Sequence, residues 1–131
     1  MTGLDTNVLV RFFAQDDRLQ SPKADTILGS LTAQDPGWVG MVTILELVWV
    51  LGSKNRFDRT AIVKTVHQLL LRQEIVVEQA EIVENALQLF RRGNADFADC
   101  LIAASAMAAE CARTVTFDRV AARDAGMQLV E

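Results

Sequence analysis

Residues 3–13 read Gly-Leu-Asp-Thr-Asn-Val-Leu-Val-Arg-Phe-Phe, and this stretch decides the fold. The short apolar run into Asp5 predicts a first strand, and residues 8–13 predict a short helix. A strand that passes directly into a helix is the repeating unit of α/β proteins, whose strands pair in parallel. The stretch therefore predicts an α/β fold with Asp5 at the carboxyl end of its first strand.

The rest of the chain continues this alternation of strand and helix patterns. Further strands are predicted over residues 38–40, 75–77, 114–117 and 128–130. Helices are predicted from a Ser21-Pro22 cap to about residue 31, and over residues 43–52, 58–70, 82–90, 96–111 and 118–125.

Two of the predicted helices are strongly apolar. The helix over residues 96–111 is apolar nearly all round, which predicts a buried central helix. In the helix over residues 43–52, Trp49 and the apolar residues near it are expected in the core.

Length and composition bound the class of protein. With 131 residues, half of them apolar, we expect one domain over residues 1–131. The chain has no run of ~20 apolar residues and no secretory signal, so we expect a cytoplasmic protein with no membrane contact. The net charge of −4 argues against nucleic-acid binding by bulk positive charge. The local basic patches are explained most simply as solvated loop and helix-end cations: Lys54, Arg56 and Arg59, and Arg91 and Arg92.

Any metal site in this chain must be built from oxygen ligands. There is one histidine, His67, which we expect to be structural, and there are two cysteines, Cys100 and Cys111. In one predicted helix the cysteines are separated by about 16 Å at roughly 1.5 Å per residue, too far for a disulfide bond. A zinc site of sulfur and imidazole is therefore close to excluded.

Four acidic residues stand in apolar segments instead of on polar helix faces. Asp5 and Asp118 end predicted strands, Glu46 is the only charge over residues 41–51, and Asp99 opens the most apolar helix. In an open α/β sheet the ligand crevice lies outside the carboxyl ends of the strands, where all four are predicted to fall. Apart from Arg11 these segments contain no lysine or arginine that could neutralise buried carboxylates, so Mg²⁺ or Mn²⁺ is the best candidate to do so. The pattern predicts metal-assisted hydrolysis of a phosphodiester bond.

Helix capping is the competing explanation for these acids, because carboxylates at helix N-termini accept free N–H groups and meet the positive end of the helix dipole. Thr43 and Glu46 have the spacing of a capping box, Asp96 could cap the helix that contains Asp99, and Asp118 could cap the last helix. Taken singly, a cap explains each acid about as well as catalysis does. Their joint position at strand ends favours a site.

Four blocks of the sequence resemble PIN domains, specifically the VapC-type toxins of bacterial toxin–antitoxin pairs. The blocks are residues 4–11, Glu46 in its apolar helix, residues 95–104 and residues 116–118, and the likeness spans the whole chain. The resemblance implies a three-layer α/β/α sandwich with a mainly parallel central sheet. It also implies Mg²⁺- or Mn²⁺-dependent endoribonuclease activity, homodimers or higher toxin–antitoxin assemblies, and inhibition by a co-encoded small VapB-like antitoxin.

The resemblance also implies roles for individual residues. Asp5 and Asp99 correspond to direct metal ligands, and Glu46 and Asp118 correspond to acids that hold metal-bound water or a second ion. Asp96 is either a helix cap or a secondary contributor. Roles in hydrogen bonding to the carboxylates or to the scissile phosphate fit Thr6, Asn7 and Thr116. Arg11 fits either contact with RNA or balance of the negative charge of the acids.

Two other functions fit parts of the pattern. A phosphoryl-transfer domain of the receiver or haloacid-dehalogenase kind also places acids and Mg²⁺ at strand ends. It fits poorly, because Asn7 stands where the dehalogenase motif has its second aspartate and no lysine follows residues 114–117 as in a receiver. A catalytically silent PIN-like binding module would use the acids as caps and nothing more.

Overall fold

The structure is a computed structural model that describes residues 1–131, and the chain divides into two units, residues 1–78 and 79–131. The elements of the first unit are β1 (Thr2–Gly3), α1 (Thr6–Ala14), α2 (Gln20–Ser30), β2 (Gly37–Val39), α3 (Met41–Ser53), α4 (Arg59–Leu71) and β3 (Ile75–Val77). The elements of the second unit are α5 (Ala80–Arg92), α6 (Phe97–Ala108), β4 (Val115–Thr116), α7 (Arg119–Asp124) and β5 (Gln128–Leu129). None of the seven helices combines the length and the apolarity that crossing a membrane requires.

The first unit contains a parallel three-stranded sheet in the order β1-β2-β3. Gly3, Trp38 and Val76 are aligned across it. Beyond the strand ends, the Leu4 N–H donates to the Trp38 carbonyl at 2.9 Å, and the Glu78 N–H donates to the Val39 carbonyl at 2.9 Å. The residues that follow the three strands therefore leave the sheet at the same edge.

The core of the first unit is formed by one face of each of its longer helices. In α3 and α4 the fully buried or nearly buried side chains recur at helical spacing, so each helix packs along one stripe. Full burial of such a Leu, Ile or Val side chain is worth roughly 1.5–3 kcal/mol. The buried positions of these two helices are Ile44, Leu47, Val48, Leu51, Ile62, Thr65, Val66 and Leu69.

The second unit is built on the contact between α5 and α6. Phe90 of α5 and Phe97 of α6 stack edge to face, with ring centroids 5.7 Å apart. Strands β4 and β5 pair in parallel, with Thr116 opposite Leu129. After α7, Gly126 has a φ of 72°, a left-handed conformation that glycine adopts without steric cost.

The predicted α/β class with parallel strands is confirmed. The strands hydrogen-bond in two sets instead of one continuous sheet, a three-stranded set and a two-stranded set. The expectation of one domain over residues 1–131 stays a prediction.

Two predicted helix starts are wrong because other groups cap those helices. The Ser21 cap fails because α2 begins at Gln20, and the Asp17 side chain accepts from the Leu19 and Gln20 N–H groups at 3.0 and 2.8 Å. The Thr43–Glu46 capping box fails because α3 begins at Met41.

The predicted burial of two helices also needs correction. α6 ends at Ala108, so Cys111 lies outside it, and Ile102 and Met107 are 53% and 70% exposed. Trp49, expected in the core, is 69% exposed. α3 and α6 each pack along one stripe only. The opposite stripe of each helix also carries apolar side chains, so no polar face in the sequence marks the side that is turned to solvent.

Candidate functional site

Asp5 joins the first strand to the first helix. It lies at the carboxyl end of β1, as predicted, and it is the N-cap of α1, with its Oδ1 atom accepting from the Thr6 N–H at 2.8 Å. The cap explains why α1 begins at Thr6, two residues before the predicted start. The Asp5 side chain is exposed, so its other oxygen is accessible to a ligand.

Thr6 connects Asp5 to Glu46. The Thr6 side chain is 4% exposed, and its Oγ1 hydroxyl donates to Oε1 of Glu46 on α3. Glu46 itself is exposed, which corrects the expectation that this helix has no side turned to water. The hydrogen bond fixes one carboxylate oxygen of Glu46.

Glu78 was not predicted to contribute to this edge of the sheet. It follows β3, and its Oε1 atom accepts from the Met41 N–H at 2.8 Å, which caps α3 from a strand 37 residues away. Gly40, the N-cap residue of α3, has no side chain to do this. The sequence feature that could have identified Glu78 is its position as an acid directly after the apolar run Ile75–Val77.

Arg11 and Asn7 lie on α1, the helix that Asp5 caps. Asn7 is exposed in the first turn of α1. Arg11 donates to Gln20 at 2.8 Å and to both carboxylate oxygens of Asp16 at 3.1 Å. A hydrogen bond from Asn55, aided by the charge of Arg11, lowers the pKa of Asp16. In this structure Arg11 therefore balances Asp16, while its predicted contact with RNA stays a prediction.

In the second unit, Asp96 and Asp99 occupy the first turn of α6. Asp96 is the N-cap, and its Oδ1 atom accepts from the Asp99 N–H at 2.8 Å. The cap predicted for Asp96 is therefore confirmed. The loop before it is held by Asp124, whose Oδ2 atom accepts from the Asn94 N–H at 2.9 Å. A Cβ on Gly93 would lie 2.7 Å from the Cβ of Asp124, so this close approach requires glycine.

Asp99 is held among other carboxylates. Burial raises its pKa, and the negative charges of Asp96 and Asp118 raise it further. No cation contributes to this shift. The second unit therefore brings together three acids predicted from the sequence, and no basic side chain offsets the charges of Asp96 and Asp118 at Asp99.

Asp118 follows β4 and caps α7, as the capping explanation predicted. Its Oδ1 atom accepts from the Val120 and Ala121 N–H groups at 2.8 and 3.0 Å. Thr116 accepts from the Asp118 N–H through its hydroxyl at 3.0 Å, so it orients the backbone of this acid. Phe117, between them, is 84% exposed.

Capping and ligand binding do not compete at Asp5 and Asp118. In both residues the cap hydrogen bonds are made by Oδ1 alone. A carboxylate has two oxygens and about four lone-pair sites, so Oδ2 can bind a cation while Oδ1 caps the helix. Helix capping and metal binding, which are alternative explanations of these acids in the sequence, are therefore compatible in the structure.

The sequence matches the family model of the PIN domain over residues 4–126. The chain belongs to the PIN domain family. PIN domains are generally nucleases and typically depend on divalent metal ions, so the coarse prediction of a nuclease domain is confirmed. The three-layer α/β/α class implied by the resemblance is the fold class of this family. No curated protein matches the chain.

The acids of this PIN domain fit a hard divalent cation by their chemistry. They offer carboxylate oxygens, with one hydroxyl neighbour at Thr6, and no thiolate or imidazole. Within either unit, no three such side chains are arranged as ligands of one ion. Mg²⁺ is usually bound through one or two protein carboxylates together with waters and substrate phosphates, and the pairs present here can supply that number.

Proposed function

We propose that this PIN domain is a Mg²⁺- or Mn²⁺-dependent endoribonuclease and the VapC-type toxin of a type II toxin–antitoxin pair. The observation that carries the proposal is the group formed by Asp96, Asp99 and Asp118: burial raises the pKa of Asp99, the charges of the other two acids raise it further, and no cation offsets the shift. Like charges placed together cost stability, and such arrangements concentrate at functional sites. Membership of the PIN domain family supports metal-dependent cleavage of nucleic acid as the chemistry of this acidic group.

In this proposal Asp5 and Asp99 are the direct metal ligands, and Glu46 and Asp118 are the further catalytic acids. A bound divalent cation would stabilise the negative charge that develops on the phosphate during in-line displacement. Support comes from the exposure of Asp5, Glu46 and Asp118 and from the single-oxygen caps of Asp5 and Asp118. Asp96 raises the pKa of Asp99 and is assigned a secondary role.

The neighbouring polar residues position these acids or meet the substrate. Thr6 orients Glu46 through its hydroxyl, and Thr116 orients the backbone of Asp118. Asn7 is exposed one residue after Thr6, and in this proposal it hydrogen-bonds the scissile phosphate. Arg11 keeps one terminal nitrogen, Nη2, for RNA while Nε and Nη1 bind Gln20 and Asp16.

The proposal includes two protein partners, a small VapB-like antitoxin and a second copy of the chain. The resemblance implies both, and closed two-fold pairs are the most common soluble homo-oligomers.

Metal removal tests the nuclease. We expect the purified protein to cleave single-stranded RNA in Mg²⁺ or Mn²⁺, to lose cleavage in EDTA, and to regain it when metal is restored, because the acids must be neutralised before a polyanion can approach. Gel analysis of an end-labelled RNA measures this. Cleavage that persists in EDTA would contradict the metal-dependent mechanism.

Growth arrest tests the toxin. We expect expression of the parent without an antitoxin to stop bacterial growth, and expression of Asp5→Asn to leave growth unaffected. Asparagine keeps the capping oxygen of residue 5, so the variant is expected to fold. The matched control is Glu81→Gln, which changes an exposed acid in the first turn of α5 and should remain toxic. Equal toxicity of the parent and Asp5→Asn would favour the silent binding module.

A further inference from the structure

One face of α3 presents apolar side chains to solvent on both sides of Glu46. Val42, Glu46, Trp49 and Ser53 have the spacing i, i+4, i+7 and i+11 and are all exposed, and we call them the α3 stripe. Val42 is 81% and Trp49 69% exposed. Trp49 lies one turn from Glu46 on the same face, and the proposed chemistry makes no use of it.

A short basic segment continues from the end of this helix. Lys54 and Arg56, which we call the basic loop, are both exposed, and neither forms an ion pair. Lys54 follows Glu46 by eight residues, which corresponds to about 12 Å along a helix. The order along α3 is therefore a proposed catalytic acid, an exposed aromatic ring and then two unpaired cations.

The basic loop is held in a fixed position relative to Trp49. The Lys54 N–H donates to the Val50 carbonyl at 2.8 Å, and the Phe57 N–H donates to the Leu51 carbonyl at 2.9 Å. The Asn55 side chain donates to Asp16 at 2.8 Å, which ties the loop to the residues that follow α1. The cations are thus presented from an anchored turn.

We propose that the α3 stripe and the basic loop form a binding site for single-stranded RNA, with a base stacked on Trp49 and phosphates bound by Lys54 and Arg56. The inference rests on the proposed nuclease function, because it places the strand beside Glu46. Proteins that bind single strands combine aromatic side chains on which bases stack with cations that follow the backbone. Both parts are present here within one helix and the turn after it.

The composition of the stripe favours RNA over a second copy of the chain as the occupant. The cores of protein–protein interfaces are depleted of charged residues, above all Lys, Glu and Asp. Here Glu46 stands in the middle of the stripe and the two cations continue it. A polyanion with flat bases matches the cations and the indole ring, and the acid is accounted for by the metal chemistry proposed above.

Tryptophan fluorescence tests the site directly, because the chain contains two tryptophans. In a Trp38→Phe, Asp5→Asn background Trp49 is the sole tryptophan and the RNA stays uncleaved. We expect an unstructured eight-nucleotide oligouridylate to quench this fluorescence on titration. In the Asp5→Asn protein, Trp49→Ala should weaken binding of labelled oligouridylate roughly 5- to 150-fold, the range of one base–aromatic stack. Trp49→Phe should recover part of that loss.

Two matched controls separate this site from general effects. Leu71→Ala removes an apolar side chain of similar exposure, 67%, at the end of α4 and should leave binding unchanged. The double variant Lys54→Ala/Arg56→Ala should reduce the slope of log affinity against log salt by about 1.4, as expected for two single-strand phosphate contacts. Lys64→Ala, an exposed cation on α4, should leave the slope unchanged.

The kinetics distinguish failure of this inference from failure of the nuclease proposal. In the active protein we expect Trp49→Ala to raise KM at nearly constant kcat, and Glu46→Gln to lower kcat. If the parent cleaves RNA and Trp49→Ala keeps the parental KM, the RNA site is wrong and the nuclease stands. If sedimentation shows that Trp49→Ala dissociates a dimer while its affinity for RNA is unchanged, the stripe binds a second copy instead. An RNA that quenches Trp49 but is never cleaved would support the site and contradict the nuclease.

Discussion

Replacement of Asp99 by asparagine is expected to abolish RNA cleavage and, in the metal-free protein at neutral pH, to make the fold more stable. Loss of a metal ligand should lower kcat/KM on the order of a thousandfold, because the lost charge stabilisation amounts to several kcal/mol. The effect on stability has the opposite sign because the charged form of Asp99 is disfavoured by burial and is repelled by Asp96 and Asp118. Removal of that charge should add a few tenths to about 1 kcal/mol to the free energy of unfolding.

The pH dependence of this gain follows from the direction of the pKa shift. The pKa of Asp99 is raised in the folded protein, and an unfolded aspartate titrates near roughly 3.9. Below that value both states hold the proton, and the contribution of Asp99 to stability is fully present. It is lost as the pH rises through the folded pKa. Thermal melts of the two proteins in EDTA should therefore show a Tm difference that is small below the ordinary aspartate pKa and grows as the pH rises through the raised pKa of Asp99.

Asp96→Asn and Glu81→Gln are the comparisons for this experiment. Asp96→Asn removes one of the two repelling charges but keeps the capping oxygen, so it should also stabilise the metal-free protein while retaining part of the activity. Glu81→Gln should leave both properties near those of the parent, because Glu81 does not affect Asp99. An Asp99→Asn protein that cleaves RNA like the parent would remove Asp99 from the proposed ligands.

The fold class could be predicted because each strand and helix signal is local. The strand predicted over residues 75–77 is the strand observed, and the Asp58 cap lies at the predicted start of α4. Asp5 was correctly placed at the carboxyl end of β1 because a parallel strand that enters a helix leaves its last residue at that edge. These features depend on neighbours within a few positions in the chain.

The sequence does not indicate which face of α3 is buried. A helix that is apolar all round contains no contrast from which its buried side can be read. Trp49 was therefore expected inside, and Glu46 was expected to be buried, although both lie on the exposed stripe. The cap that Glu78 supplies to α3 was equally hidden, because it spans 37 residues of sequence.

Replacement of Thr6 by valine is expected to lower kcat 10- to 100-fold while the protein remains folded. Thr6 is buried and donates its hydroxyl to Glu46, so valine keeps the shape and removes the donor. Outer residues that orient acidic groups at metal sites typically contribute about 10- to 100-fold to activity. Because Glu46 is exposed and water can replace the lost donor, the cost in unfolding free energy should be only about 1 kcal/mol.

A double-mutant cycle decides whether Thr6 acts through Glu46. Thr6→Ser retains the hydroxyl and should keep most of the activity. In a Glu46→Ala background, measured in single turnover with excess protein, Thr6→Val should cause no further loss, since the group it orients is already absent. If the two losses multiply instead, Thr6 contributes independently of Glu46, and the hydrogen bond between them stabilises α1 against α3 without setting the position of the carboxylate. Non-additivity in this cycle would make Thr6 a positioning residue for Glu46.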